Sequence, residues 1–444
     1  MSMRRIAIIG AGASGLVAAK WLRAEGLEPI VFEKSDRIGG VWTYDESLTG
    51  GGSPSYRSLV TNVSRQKTHL SDHTLADEAG DFPARGRVLE WLERYADRFD
   101  LLRSIRLRTP VQRVAPLRDG GWSVDNERFD AVVVASGLFT RPFVPPVKGA
   151  DAFVGQILHA AGYMHAEPFA DLDVIVVGAG SSGADIAVEL SNIARVALSV
   201  RDVAAVVPKT VAGRPLDHLL TRKMERRKPQ ERGRLLHEAI VGEYRRRGVA
   251  DPMTWPKALV PQAAGRAPTP SEDLAAKIVD GTIALRPAPE WFETDGIVFA
   301  DGLYRRADLV IFATGYELAF PYLPPDLLPV RGLAEVDLFR QVWHPTVPGL
   351  AFIGICRVSG AVPPIAEMQA RWVARVLSGR LALPGPSEMR RETVERRAHH
   401  AEAGTEYMRV PFLGYLDEIG ELLGVRPRDE RKLLDEVVSA TQYR

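Results

Sequence analysis

One cysteine, Cys356, stands in a chain of 444 residues. A single thiol forms no internal disulfide, no Cys-x-x-Cys redox pair and no cysteine-rich metal site, which points towards a reducing, cytoplasmic compartment. Net charge is also scarce: 57 Lys+Arg face 56 Asp+Glu. That balance gives no electrostatic case for nucleic acid or an anionic membrane surface as partner. Long apolar runs are missing too. No stretch of about eighteen uncharged apolar residues occurs, so no transmembrane helix is expected. The run from Ile6 is broken at once by Gly10, Gly12 and Gly15, and no convincing cleavage site follows, which argues against a signal peptide. His69, His73, His399 and His400 lack partners at metal-ligand spacing, and no metal is expected.

What the chain does have is an internal near-repeat. Arg5 to Ala19 reads RIAIIGAGASGLVAA and Asp173 to Ala187 reads DVIVVGAGSSGADIA. Each is a β-branched run, a Gly-x-Gly-x-x-Gly turn and a helical pattern. Each is closed later by a matching run, DAVVVASG at Asp130–Gly137 and DLVIFATG at Asp308–Gly315. Continuous apolar strands of this kind are buried on both faces of a parallel sheet. The fold class is therefore α/β, with two Rossmann-like dinucleotide-binding domains, the second inserted into the first. The expected division is 1–168, 169–318 and a return to the first domain over 319–444. Arg87–Phe99 and a segment from about Pro364 to Leu377 have helical spacing. Phe143–Gly149, FVPPVKG, is too proline-rich for regular structure. Arg214–Gly248 reads as a basic, solvated helical stretch, and Asp429–Arg444 as a polar surface helix.

The fingerprints carry chemistry. Gly10, Gly12 and Gly15, with Ala13 and Ser14 between them, make the tight turn, let backbone approach a pyrophosphate, and open a helix whose free N–H groups favour an anion. Glu33 follows about twenty residues on, at the end of the second strand, where a carboxylate accepts ribose hydroxyls. The second fingerprint is Gly178, Gly180 and Gly183, with Ser181 and Ser182. Its second strand ends in Ser199 and Arg201 instead of an acid. A guanidinium there binds a 2′-phosphate that a carboxylate would repel, which favours NADPH over NADH; an ordinary surface arginine is the bland alternative. Two nucleotide sites in one chain suggest hydride transfer from a nicotinamide to a second bound dinucleotide, most naturally a flavin.

Between the two units lie Phe153, Gly155, His159 and Tyr163, spaced Phe-x-Gly-x-x-x-His-x-x-x-Tyr. Together with Gly39-Gly40-Val41-Trp42, Thr61-Asn62, Ala313-Thr314-Gly315-Tyr316 and Glu367-Met-Gln369-Ala-Arg-Trp372, this segment resembles the class B flavin-containing monooxygenases from Ile6 to about Gly424. The resemblance implies FAD bound by the first fingerprint, Glu33, Gly40, Val41, Trp42, Thr61, Asn62 and Gln369. It implies NADPH bound by the second fingerprint, Ser199, Arg201, Ala313 and Thr314. It implies that Asn62 lies beside the flavin C4a position and acts on a C4a-hydroperoxyflavin that oxygenates a soft N or S nucleophile of a small molecule. His159 and Tyr163 read first as linker anchors, with a general-acid role for His159 as the rival. Cys356 reads as a small buried hydrophobe and Trp42 equally as a core aromatic. The related Baeyer–Villiger enzymes end the fingerprint in Trp, where this chain has Tyr163 followed by Met164. Ketone oxygenation and an NADPH oxidase releasing peroxide remain the alternatives. A homodimer is the assembly the resemblance suggests, with no nucleic-acid or membrane partner.

Overall fold

The computed structural model describes residues 4–46, 54–202, 204–260, 268–332 and 335–444. Two five-stranded sheets, parallel throughout, organise the chain. In the first, the order is Leu350–Phe352, Ala131–Val134, Arg5–Ile9, Glu28–Phe32 and Ile105–Arg106. In the second it is Gln156–His159, Leu309–Phe312, Asp173–Val177, Arg195–Ser199 and Ile283–Arg286. The two orders are the same architecture: edge strand, closing strand, fingerprint strand, second strand, third strand. In each sheet the edge strand beside the closing strand comes from outside the repeated unit. The first sheet takes it from the returning tail, the second from the segment ahead of its fingerprint. The second sheet thus reaches back past the expected boundary at residue 169. Gln156–His159 pairs in parallel with Leu309–Phe312, so the linker fingerprint is part of the inserted domain.

Each sheet is covered on two faces because its central strands are apolar along most of their length. Ile6, Ile8, Val31, Val133 and Ile353 pack under the fingerprint helix Ala13–Ala24, the helix Arg85–Arg98 and the long helix Val362–Leu377. The opposite face, Ala7, Ile9, Phe32, Val132 and Val134, meets Trp122, Phe129, Phe320 and Leu338. In the second domain Val174, Val176 and Leu198 face Ala184, Ala187 and Leu190 of the helix Ser181–Leu190. Ile175, Val177 and Ala197 face a three-stranded antiparallel sheet over residues 289–306.

Three local expectations change. The basic stretch begins as a short hairpin and one-turn elements before the helix Pro229–Arg246, and its Arg222 is buried, 2% exposed. The C-terminal tail is not a surface helix. It has only the 3-10 turns Glu430–Leu433 and Ala440–Gln442, and Val438, Ala440 and Tyr443 are fully buried. The Tyr443 hydroxyl accepts from Arg222 Nη2 at 2.5 Å and donates to Asp417, so tertiary partners hold what local propensity does not. A strand is expected from the apolar run Leu350 to Cys356, but it ends at Phe352 and Cys356 lies beyond it. It is fully buried, and burial pushes its thiol up to about 12. No helix among the described residues is long and apolar enough to cross a membrane.

Candidate active site

The first fingerprint is a turn that side chains would break. Gly10 takes φ +105°, and a Cβ on Gly15 would lie 1.8 Å from the Gly10 carbonyl oxygen. Ala13 and Ser14 open the helix without an acidic residue in its first turn, leaving its positive end free for an anion. The loop Gly39–Trp42 crosses this turn: Gly39 N–H donates to the Ala11 carbonyl at 3.0 Å, and a Cβ on Gly40 would sit 3.0 Å from Gly12 Cα. Val41 and Trp42 belong to its 3-10 turn, with Trp42 half-buried against the core. Glu33 is 7% exposed. Its Oε2 accepts the Ala11 N–H at 2.7 Å, and its Oε1 accepts from Ser35 N and Oγ. The carboxylate is thereby fixed over the turn, and carboxylate oxygens keep further lone pairs for ribose hydroxyls.

The second fingerprint repeats the geometry: Gly178 has φ +108°, and a Cβ on Gly183 would lie 1.9 Å from the Gly178 oxygen. A Cβ on Gly180 would meet nothing within 4 Å, so backbone there is open to approach, with Ser181 and Ser182 beginning the helix. Hydrogen-bond register aligns the two units. Gly10 N–H donates to Phe32 O and Gly178 N–H to Ser199 O. Ser199 therefore corresponds to Phe32, and Val200 stands where Glu33 stands. The acid is replaced by valine, and Arg201 follows with 88% side-chain exposure. Ser199 is not a free ligand. It is 1% exposed, and its hydroxyl donates to the Pro287 carbonyl at 2.7 Å. Ala313 closes the turn, its oxygen 2.6 Å from where a Gly178 Cβ would be. The Thr314 hydroxyl donates to the Phe143 carbonyl.

Phe143 and Gly315 mark the crossing between domains, where Arg141–Pro142 and Tyr316–Glu317 pair antiparallel. His159 anchors it. Its Nδ1 accepts the Ala161 N–H, so Nε2 carries the hydrogen and donates to Gly315 O at 3.0 Å. The ring stands edge-on to Tyr316, and burial lowers its pKa, keeping it neutral. Tyr163 is fully buried and donates to Glu189 at 2.9 Å. Phe153 packs on Phe292, and Gly155 is small because a Cβ would lie 2.4 Å from the Phe153 ring. These four residues dock the linker onto the second sheet.

Thr61 and Asn62 lie on a loop held from both domains. Thr61 Oγ1, Asn62 Oδ1 and Ser64 Oγ are buried atoms without a hydrogen-bond partner among the described residues. Orphaned polar atoms on one loop fit a site completed by a bound group. Lys209 of the second domain is 8% exposed and donates from Nζ to Thr61 O at 3.3 Å; burial lowers its pKa against the pull of Asp185 and Glu272. Asp217 Oδ2 accepts the Ser64 N–H at 2.8 Å. Sequence reading missed both residues. The one signal was a lone lysine after the apolar run Ala204–Val207. Gln369 is fully buried, and both ends of its amide are used internally: Oε1 accepts Gly354 N–H, and Nε2 donates to the Tyr415 hydroxyl. It reaches the first site through Gly354, which abuts Ser14.

Two glycine turns at the ends of parallel strands, one with Glu33 over it and the other with Val200 in the acid's place and Arg201 following, define a protein of the two-dinucleotide class. The family model described as flavin-binding monooxygenase-like matches residues 3–440, and the chain belongs to that family. The rat flavin-containing monooxygenase 5 (Rattus norvegicus) is 35% identical over 452 residues, covering 96% of this chain and 84% of its own. Two solved structures share the fold. S-allyl-L-cysteine S-oxygenase of Allium sativum has a TM-score of 0.69 at 24% identity, with 97% and 94% of the chains covered. A cyclohexanone monooxygenase of Rhodococcus sp. Phi1 bound to NADP+ has 0.70 at 20% identity, with 96% and 98% covered. The chain is an NADPH-dependent flavin monooxygenase whose cofactors are FAD and NADPH.

Proposed function

We propose that the chain transfers one oxygen atom of O2 to a soft N or S nucleophile of a small molecule, the other atom leaving as water at the expense of NADPH. Bound FAD supplies hydride acceptance and the activation of O2. The chain's own residues bind, orient and exclude water. The first turn and Glu33 would hold the FAD pyrophosphate and ribose. The second turn would hold the NADPH pyrophosphate, and Arg201 its 2′-phosphate. The single observation that carries the substrate class is the polar but uncharged Thr61–Ser64 loop, with Asn62 Oδ1 buried and unpartnered. A neutral amide donates and accepts without forcing a charge onto the transferred oxygen group. A neutral oxidant is electrophilic and attacks lone pairs on sulfur or unprotonated nitrogen.

A second reading, attack on a ketone, is favoured by one observation: the Lys209 ammonium beside Thr61, which would favour an anionic oxidant. A panel of sulfides, tertiary and primary amines, indoles and cyclic ketones, scored by mass for one added oxygen, separates them. The proposal expects sulfides or amines to react fastest; ketones turning into esters faster than any of these would replace it. In the same assay Asn62→Ala should still bind FAD and oxidise NADPH but release hydrogen peroxide in place of product. An unchanged product-to-NADPH ratio would remove Asn62 from the site.

A further inference from the structure

The Thr61–Thr68 segment is gripped from the second domain at four points. Lys209 Nζ donates to Thr61 O, Asp217 Oδ2 accepts Ser64 N–H, His218 Nε2 lies 3.3 Å from Gln66 Oε1, and Lys67 Nζ donates to Leu220 O at 3.3 Å. Two of these flank Asn62. The strap over residues 209–222 is itself fixed. Arg222, 2% exposed, makes a two-pronged pair with Asp417 at 2.8 and 2.9 Å and donates to the Tyr443 hydroxyl. A bidentate arginine pair of this burial is geometrically specific, so the strap has a defined position against the first domain.

We propose that Asp217 is a positioning residue for oxygen transfer: from the coenzyme-binding domain it fixes the backbone that presents Asn62. This rests on the reading of Asn62 given above. The bond at 2.8 Å joins residues 153 positions apart and uses a backbone donor that the short helix Arg65–Thr68 leaves open. Neutral capping side chains accept such a donor as well as charged ones do. The oxygen acceptor is therefore what matters, and the second domain sets where Asn62 points without touching the substrate.

The test compares D217A, D217N and S64P as FAD-loaded proteins. Ser64 has φ −60°, which a proline ring adopts, so S64P, read against S64A, which loses the hydroxyl but keeps the N–H, deletes the same bond from the donor side if D217A folds poorly. D217A and S64P should raise the fraction of NADPH electrons ending as peroxide about fivefold, the rate equivalent of one hydrogen bond. In D217A, amide exchange of the 61–68 peptide should quicken by a similar factor while the two sheets stay protected. D217N should behave as the parent, because its amide oxygen still accepts the Ser64 N–H. Parental coupling and exchange in D217A and S64P, beside an uncoupled Asn62→Ala, would overturn the role of Asp217 alone. So would D217N as defective as D217A. A coupled Asn62→Ala would remove both the role of Asn62 and that of Asp217.

Discussion

Arg201 shows how much one side chain decides. Its guanidinium is open to solvent, with Asp202 3.9 Å away, and an exposed pair of that length holds it weakly. Its place in the chain matters more. The register bond from Gly178 to Ser199 puts Val200 where the first unit has Glu33, so no carboxylate stands at that position. Replacing Arg201 with Ala should raise the KM for NADPH about 10- to 100-fold, the worth of one charge-assisted phosphate contact. KM for NADH should stay within about twofold, because NADH carries no phosphate there. Steady-state kinetics with both coenzymes check this, and equal losses would show that Arg201 acts on the fold. Ser199, chosen from sequence for its polarity and strand-end position, spends its hydroxyl on Pro287. A strand-end residue's facing depends on register, which a single sequence does not display.

At the scale of elements, the two glycines of one turn separate binding from folding. Gly183 packs its helix onto the strand, and a methyl there would collide with the Gly178 carbonyl. Gly180 faces open space. Gly183→Ala should destabilise by about 1–3 kcal/mol through overpacking and lower Tm accordingly. Gly180→Ala should leave Tm nearly unchanged yet raise KM for NADPH about tenfold, because the methyl intrudes where backbone approaches the pyrophosphate. Thermal melts beside NADPH titrations check the pair; a Gly180→Ala protein with parental KM would move the coenzyme off this turn. Elements also mark where sequence reading stopped. Both fingerprint strands, both closing strands and the helix Val362–Leu377 were legible, because apolar runs ending in glycine turns are local signals. The strand Gln156–His159 was not: it has four residues, two of them exposed, and only its partner Leu309–Phe312 makes it a strand.

The whole molecule is one architecture used twice, with each sheet borrowing its edge strand from outside the repeated unit. That arrangement ties the domains by more than the paired crossing at Arg141–Pro142 and Tyr316–Glu317. The strap over 209–222 reaches the Asn62 loop and the C-terminal tail. Such contacts join residues far apart in sequence, so no window on the chain reveals them. The glycine turns were readable and the contacts that hold the Asn62 loop were not.

In the proposed reaction, electrons from NADPH drive one atom of O2 into an acceptor. The most direct measurement supplies isotopically labelled O2 to the FAD-loaded enzyme with NADPH and a simple aryl alkyl sulfide, and follows product mass beside NADPH consumption. The expected product is a sulfoxide carrying one labelled oxygen per NADPH consumed. NADPH consumed with every electron recovered as hydrogen peroxide, and no label in the sulfide, an amine or a ketone, would contradict it.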